Sequence, residues 1–389
     1  MKRKVNIFFT LLATLGFTFS CIGSSAQNER DSGINKSPMQ FEAQYNPEQY
    51  AINLYHSARK EFNFKGVNKN DFDKWHNSFL PRLKQTLGLD KVELQLPDYV
   101  PRTERKAIEE KEGFTLERWI IWTEPGIPLP VVVLIPKNKT GRLPLVIATH
   151  GHGKNADLYD GIYPKIVDKA TTEQTEISIA VQAVKQGYIA IAPTMRAFGD
   201  TRTDFDKNNN NSFSCHNQLM HDLLVGRTPI GDRVWDMSKI LDWALQHFPV
   251  DEKKIAITGN SGGGTVSLFT AACDSRIKVA APSSYFCTFE GSIGSISHCD
   301  CNYIPSILNL GEMSNVAGLI APRPLCVING KEDTIFPIEE TRKAFAHLKT
   351  IYAAANVPND VMLYEGDGGH KYYKEGAWPF INKYFGRNN

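Results

Sequence analysis

A serine with glycines two residues before and two after it, Gly259-Asn260-Ser261-Gly262-Gly263, is the segment of this chain best equipped for chemistry. It follows the apolar run Lys254-Ile255-Ala256-Ile257-Thr258 and leads into Gly264-Thr265-Val266-Ser267-Leu268-Phe269. Strand, sharp turn and helix is the setting in which a turn-apex serine is held in a strained conformation, while the flanking glycines remove side chains that would collide. A hydroxyl presented in that way is a nucleophile for acyl transfer. The rival reading is a phosphate-binding turn. The spacing Gly259-x-x-Gly262-Gly263-Gly264 is not G-x-G-x-x-G, and no lysine follows to complete a P-loop.

A nucleophilic serine needs a base to accept its proton and an acid to orient that base. In the strand–turn–helix arrangement these come later in the chain, acid first and histidine last. Pro324-Leu325-Cys326-Val327-Ile328-Asn329 reads as a buried strand, and the loop after it, Gly330-Lys331-Glu332-Asp333-Thr334, offers Asp333 as the acid with Glu332 as the alternative. Val361-Met362-Leu363-Tyr364 reads as the last strand, and Glu365-Gly366-Asp367-Gly368-Gly369-His370 after it places His370 as the base. Either pair alone would be an ordinary surface turn. Three matches in order, each following a predicted strand, point to one site. His56, His76, His247 and His347 lie in helix-like stretches and read as surface or packing residues.

The developing negative charge on a substrate oxygen needs fixed donors. Leu143–Thr149 is an apolar strand ending in His150-Gly151-His152-Gly153, so the main-chain N–H of His152, or of Gly153, is one candidate. The residue after the nucleophile, Gly262, supplies the other. A zinc reading of His150-x-His152 lacks a helical H-E-x-x-H or paired cysteines. His298-Cys299-Asp300-Cys301 likewise lacks a second ligand pair in the sequence, and no thiol has an evident histidine partner that would make it a rival nucleophile. The expected chemistry therefore requires no metal and no organic cofactor.

With these residues the chain resembles the α/β-hydrolases, and among them the acetyl xylan esterase and deacetylase-type carbohydrate esterases. The resemblance runs over about residues 115–389. It is carried by His150-Gly151-His152-Gly153, the loop Ala192–Asp200, the helix Asp232–Met237, the serine turn, Asp333 and His370. Gly262 and Arg196-Ala197-Phe198-Gly199 stand where the better-known deacetylases carry glutamine and R-G-x-G. The resemblance implies a serine esterase acting on acetylated carbohydrate or another small ester through Ser261, His370 and Asp333. A serine peptidase shares such a catalytic domain, but the region before residue 115 is too short for a propeller. A glucuronoyl-type methyl esterase and a non-catalytic carbohydrate-binding protein are the remaining alternatives.

The elements that must position these residues alternate along the chain. Pro47–Lys60 and Asn70–Leu87 show apolar residues at three- and four-residue intervals and predict a helical N-terminal flank over 46–113. The catalytic domain is expected over 114–389. Phe114–Thr123 and Leu129–Pro136 predict an antiparallel pair; strands and helices then alternate, which predicts an α/β fold with a mostly parallel sheet and helices on both faces. Catalytic residues of such a sheet gather at the carboxyl ends of its strands. Thr201–Gly231 reads as a long loop. The segment Ser283–Met313 carries Tyr285, Phe286, Phe289, Glu290 and His298. Tyr285, Glu290, His298 and Arg196 are candidates for contacting substrate, against the alternatives of core packing and a structural ion pair.

At 389 residues and 42% hydrophobic, the chain can bury one large core. Its formal net charge of +2 falls to −1 without Lys2, Arg3 and Lys4, so nothing in it suggests nucleic-acid or membrane-surface binding. Those three basic residues precede an apolar stretch, Val5–Phe19, and Ser24-Ser25-Ala26 fits a cleavage site, so residues 1–26 read as a signal peptide and 27–45 as a flexible linker. Cys21 offers a second reading, a lipid anchor. Either implies export, to the periplasm or beyond. Without Cys21 six cysteines remain; Cys273 and Cys326 read as buried thiols, and Cys215, Cys287, Cys299 and Cys301 as the better disulfide candidates.

Overall fold

Strands rich in Val, Ile and Ala, with turns between them, build the centre of the protein. The computed structural model describes residues 46–152 and 174–387. The leader, the linker, Cys21 and Gly153 lie outside the described residues. The chain divides into Met1–Pro47 and a much larger unit from Glu48 onward; the larger unit is the one treated below.

In chain order the main elements are helices α1 (Pro47–Ser57), α2 (Lys69–Leu87) and α3 (Leu89–Gln95), then strands β1 (Arg102–Glu110), β2 (Phe114–Glu124), β3 (Ile127–Pro136) and β4 (Leu143–Thr149). Next come α4 (Ile179–Lys185), β5 (Ile189–Pro193), α5 (Cys215–Leu224), α6 (Pro229–His247), β6 (Val250–Asn260), α7 (Gly262–Cys273) and β7 (Val279–Ser283). The chain closes with β8 (Leu325–Gly330), α8 (Ile338–Ala354), β9 (Val361–Gly366) and α9 (Lys374–Tyr384). The strands form one sheet in the order β1-β2-β3-β5-β4-β6-β7-β8-β9. The pairs from β1 to β5 are antiparallel and those from β5 through β9 are parallel.

Period-two alternation sends each central strand's side chains into two separate cores. Leu145, Ile147, Ile189, Ile191, Ile255, Ile257, Leu325 and Val327 face one side, packed with residues of α2, α3, α6, α7 and α8. Val146, Ala148, Ala190, Ala192, Ala256, Cys326 and Ile328 face the other, under α4 and α9. The fold is thus the expected α/β arrangement with a mostly parallel sheet.

Two local readings differ from the sequence expectation. The flank is helical only as far as Gln95, and β1 then joins the sheet as its outer strand. Arg102-Thr-Glu-Arg-Lys-Ala-Ile-Glu-Glu110 is charged on both faces and buries no residue, so it carries no hydrophobic period. The flank is also part of the core, since Phe72, Phe79, Leu83, Leu87, Leu89 and Val92 are buried within it. Inside Thr201–Gly231 the chain forms α5 where a loop was expected. Only Cys215 and Leu219 of that helix are buried, too few to write a helical pattern in the sequence.

Candidate active site

The turn after β6 is built by exclusion of side chains. Ser261 has φ 57° and ψ −120°, a conformation costly for any residue with a Cβ, and it sits between the end of β6 and the first residue of α7. Its N–H donates to the Ser283 carbonyl at 2.9 Å, which ties the turn to the end of β7, and its own carbonyl accepts from the Thr265 N–H at 2.9 Å. A Cβ on Gly263 would stand 2.1 Å from the Thr149 carbonyl oxygen, so only glycine lets α7 approach β4 this closely. The Thr149 hydroxyl donates to the Gly263 carbonyl at 2.8 Å and closes the same contact.

The residues expected as acid and base come from the two adjoining strand ends. Asp333 follows β8 with its side chain wholly buried, and its Oδ2 lies 2.8 Å from Nδ1 of His370, which follows β9. Oδ1 accepts from the main-chain N–H groups of Ile335 and Phe336 at 2.9 and 3.0 Å. Both carboxylate oxygens are therefore occupied and the group cannot rotate freely. An ionised carboxylate on Nδ1 makes that nitrogen the donor and leaves Nε2 unprotonated, the tautomer a general base needs. Glu332, the alternative acid, is exposed and instead uses its N–H to hold the histidine loop, at 2.9 Å from the Gly368 carbonyl. Phe336 stacks on the His370 ring at 5.9 Å between centroids. Tyr373 donates to the Gly369 carbonyl at 2.7 Å, and the Tyr372 hydroxyl meets that of Thr258 on β6 at 3.1 Å.

Ser261 and His370 line the same cavity, of about 500 Å³, together with Gly151, His152, Asn260 and His298. Ile177, Ile296 and Ile335 supply its apolar wall. Gly262 is the first residue of α7, directly after the cavity-lining Ser261, so its N–H has no acceptor within the helix and stands at the positive end of the helix dipole. The main-chain nitrogen of His152 lies 3.7 Å from where a Cβ of Gly262 would stand, and its ring nitrogen Nδ1 2.9 Å away. The two expected oxyanion donors thus come from neighbouring positions. His150 fixes the loop that carries His152. Its Nε2 accepts from the Met195 N–H at 2.9 Å, so Nδ1 carries the proton and donates to the Gly151 carbonyl at 2.8 Å. Burial holds the His150 pKa down at about 4, so the ring stays neutral and the tautomer is kept.

The fold agrees with comparison to known proteins. A model described as an abhydrolase family matches residues 51–365, most of the chain. The chain belongs to the abhydrolase family. YtaP of Bacillus subtilis strain 168, named as a hydrolase, is 27% identical over 280 residues, which span 71% of this abhydrolase and 89% of YtaP. A Bacteroides fragilis NCTC 9343 protein described as an acetyl xylan esterase superposes with a TM-score of 0.70 at 19% identity, covering 86% of this chain and 83% of its own. A glucuronoyl esterase from Teredinibacter turnerae T7901 superposes with a TM-score of 0.56 at 14% identity, covering 90% and 91%. These two structural likenesses show a shared fold.

The four residues considered for substrate contact separate in this abhydrolase. His298 lines the cavity. Its Nδ1 accepts from the Cys299 N–H at 3.1 Å and lies 3.0 Å from the Asn302 amide nitrogen, so the proton sits on Nε2, which has no partner among the described residues. Burial lowers its pKa to about 4. Arg196 is not at the cavity that holds Ser261. It is buried in an ion-pair network with Asp236 at 2.7 Å, Asp232 at 3.1 Å and Glu124, and Arg227 pairs with the same Glu124 and Asp232. The structural ion pair is therefore the reading that its position supports. Tyr285 is fully buried between Phe269 and Phe336 and packs the core. Glu290 sits on the surface against His56 of α1 at 3.0 Å.

The cysteines differ most from the sequence reading. All six described cysteines are free thiols. The second ligand pair missing from His298-Cys299-Asp300-Cys301 comes from distant positions, because His152 and Cys215 meet Cys299 and Cys301 with all four ligand atoms within 4.8 Å of one another. His152 Nε2 lies 3.2 Å from Cys301 Sγ, so a thiol does have a histidine neighbour. Burial alone would lower the His152 pKa, but the sulfurs of Cys301 and Cys215 push it up to about 9. The signal was present as four residue types, but the chain order hides their convergence.

Proposed function

We propose that this abhydrolase is an exported serine esterase that hydrolyses carboxylic esters, acetyl esters of carbohydrates first among them. The observation that carries the reading is the Asp333–His370 hydrogen bond at 2.8 Å, beside a strained Ser261 in one cavity. The Ser261 hydroxyl attacks the ester carbonyl while Nε2 of His370 takes its proton, and Asp333 stabilises the imidazolium that forms. The N–H groups of His152 and Gly262 hold the oxygen that becomes negative, a contribution worth about 10²–10³ in rate per donor. His370 returns the proton to the departing alcohol, leaving an acyl-serine. Water then repeats the sequence and releases the acid.

The cavity supports a sugar ester. Its volume of about 500 Å³ suits a small-molecule ligand, and its isoleucines suit a short acyl chain. His298 and Asn260 also line the cavity, and polar side chains of their types suit sugar hydroxyls. The chemistry described for the Bacteroides fragilis neighbour supports an acetyl group, and the basic-then-apolar pattern of residues 2–26 supports export.

Acetate release from a panel of acetylated xylan, pectin and small sugar acetates tests the substrate class, with methanol release from uronic acid methyl esters run beside it. The reading expects acetate release to dominate and Ser261→Ala to lower it about 10³-fold or more while the near-ultraviolet spectrum stays native. Full activity in that variant would refute the assignment of the nucleophile. Methanol release alone would transfer the substrate class to the methyl esterases.

A further inference from the structure

Beyond the esterase site, the cluster of His152, Cys215, Cys299 and Cys301 has a coordination geometry of its own. Nε2 of His152 is 3.2 Å from Cys301 Sγ, the Cys299 and Cys301 sulfurs are 3.5 Å apart, and no pair in the set of four exceeds 4.8 Å. A tetrahedral zinc with three thiolates and one imidazole has edges of about 3.8 Å between sulfurs and about 3.6 Å from sulfur to nitrogen, as bond lengths of about 2.3 and 2.0 Å require. The His152–Cys301 and Cys299–Cys301 separations fall within about 0.4 Å of those edges, and the remaining pairs lie within 4.8 Å. They come from three segments: the loop after β4, the start of α5, and the segment between β7 and β8.

We propose that His152, Cys215, Cys299 and Cys301 form a tetrahedral zinc site that locks these three segments into one wall of the catalytic cavity. Three soft sulfur donors and one imidazole select zinc over calcium or magnesium, whose sites are built from oxygen. Charge is provided for as well. Three thiolates and a divalent cation leave one negative charge, and Nη2 of the buried Arg233 stands 3.5 Å from Cys215 Sγ to offset it. The Asn302 side-chain amide reaches Cys301 Sγ at 3.9 Å as a second outer-shell donor. A disulfide between Cys299 and Cys301 would give Cys215, His152 and Arg233 no part; a metal gives each of them one.

Four protein ligands leave no open position for water or substrate, so the ion is structural and takes no step in ester hydrolysis. Binding releases to solvent the protons of those thiols that carry one. The functional consequence lies in His152. With its Nε2 on the metal, the residue whose main-chain N–H faces the oxyanion is held at both its backbone and its ring.

Elemental analysis of the purified full-length protein, prepared with zinc present, tests the site directly. One zinc per chain is expected, and Cys299→Ser and Cys301→Ser should each reduce it to none. Cys273→Ser and Cys287→Ser, outside the cluster, should keep it. Cobalt exchanged into the wild type should give the intense thiolate-to-metal charge-transfer bands of a tetrahedral thiolate site, and these should be absent from Cys301→Ser. A variant that fails to fold leaves the wild-type stoichiometry and cobalt spectrum to decide. Ser261→Ala should retain its zinc, so the site stands or falls separately from the esterase reading. Zinc-replete protein with no bound zinc and four titratable cluster partners, or with Cys299 and Cys301 recovered as a disulfide, would overturn the proposal.

Discussion

At Ser261 the backbone sits at φ 57°, and the same turn places Gly263 where an added Cβ would meet the Thr149 carbonyl at 2.1 Å. Gly263→Ala should therefore destabilise the protein by about 2–3 kcal/mol through overpacking, read as a lower urea midpoint with an unchanged slope. Across the cavity the carboxylate of Asp333 satisfies two N–H groups and one ring nitrogen. Asp333→Asn can no longer enforce the His370 tautomer, and kcat should fall by about 10⁴, while Glu332→Ala should stay within about twofold of wild type. Steady-state kinetics on one activated acetyl ester separates the two acidic residues. The placement of Ser261, Asp333 and His370 at neighbouring strand ends was readable from the sequence because each follows a strand with its own composition signature. His152 as a neighbour of Cys301 was not readable, since no spacing rule joins residues brought together only by the sheet order.

Among the elements, α6 and β2 are joined through Arg196 rather than through apolar packing alone. Arg196 binds Asp232 and Asp236 of α6 and Glu124 of β2, all with little exposure to solvent. Burial would lower the Arg196 pKa, but the carboxylates of Asp236, Asp232 and Glu124 raise it further above its ordinary value, so its charge is permanent. Arg196→Ala leaves buried carboxylates without their cation and should cost about 3–5 kcal/mol in chemical unfolding, with KM for a soluble ester unchanged in the fraction that folds. A rise in KM with native stability would instead make Arg196 a substrate contact. The sequence left Arg196 as either a substrate contact or a structural ion pair, because its partner depended on which face of α6 turns inward. Strand β1 was missed for a related reason: an outer strand exposed on both faces has no burial pattern to display.

For the molecule as a whole, the α/β architecture followed from the alternation of strands and helices along the chain, whereas the sequence reading expected one large core and the sheet divides the interior into two, one on each face. The response to acid belongs to the same scale. His150 is buried and neutral with its pKa lowered to about 4, against an ordinary value of 6.5 in the unfolded chain. Between those values the unfolded state binds the extra proton. The contribution of His150 is therefore fully present above about pH 6.5 and is lost as pH falls to about 4, amounting to roughly 3 kcal/mol. The unfolding free energy should decline over that interval, and His150→Gln should flatten the decline in a pH series of denaturant titrations. Central to the whole account is the oxygen that carries the acyl group. Mass spectrometry of rapidly acid-quenched protein during turnover of an activated acetyl ester identifies it. The account predicts one acetyl group, on the peptide bearing Ser261, absent from Ser261→Ala. Acetyl transfer to Cys301 in actively turning-over protein, or turnover by Ser261→Ala at the wild-type rate, would contradict it.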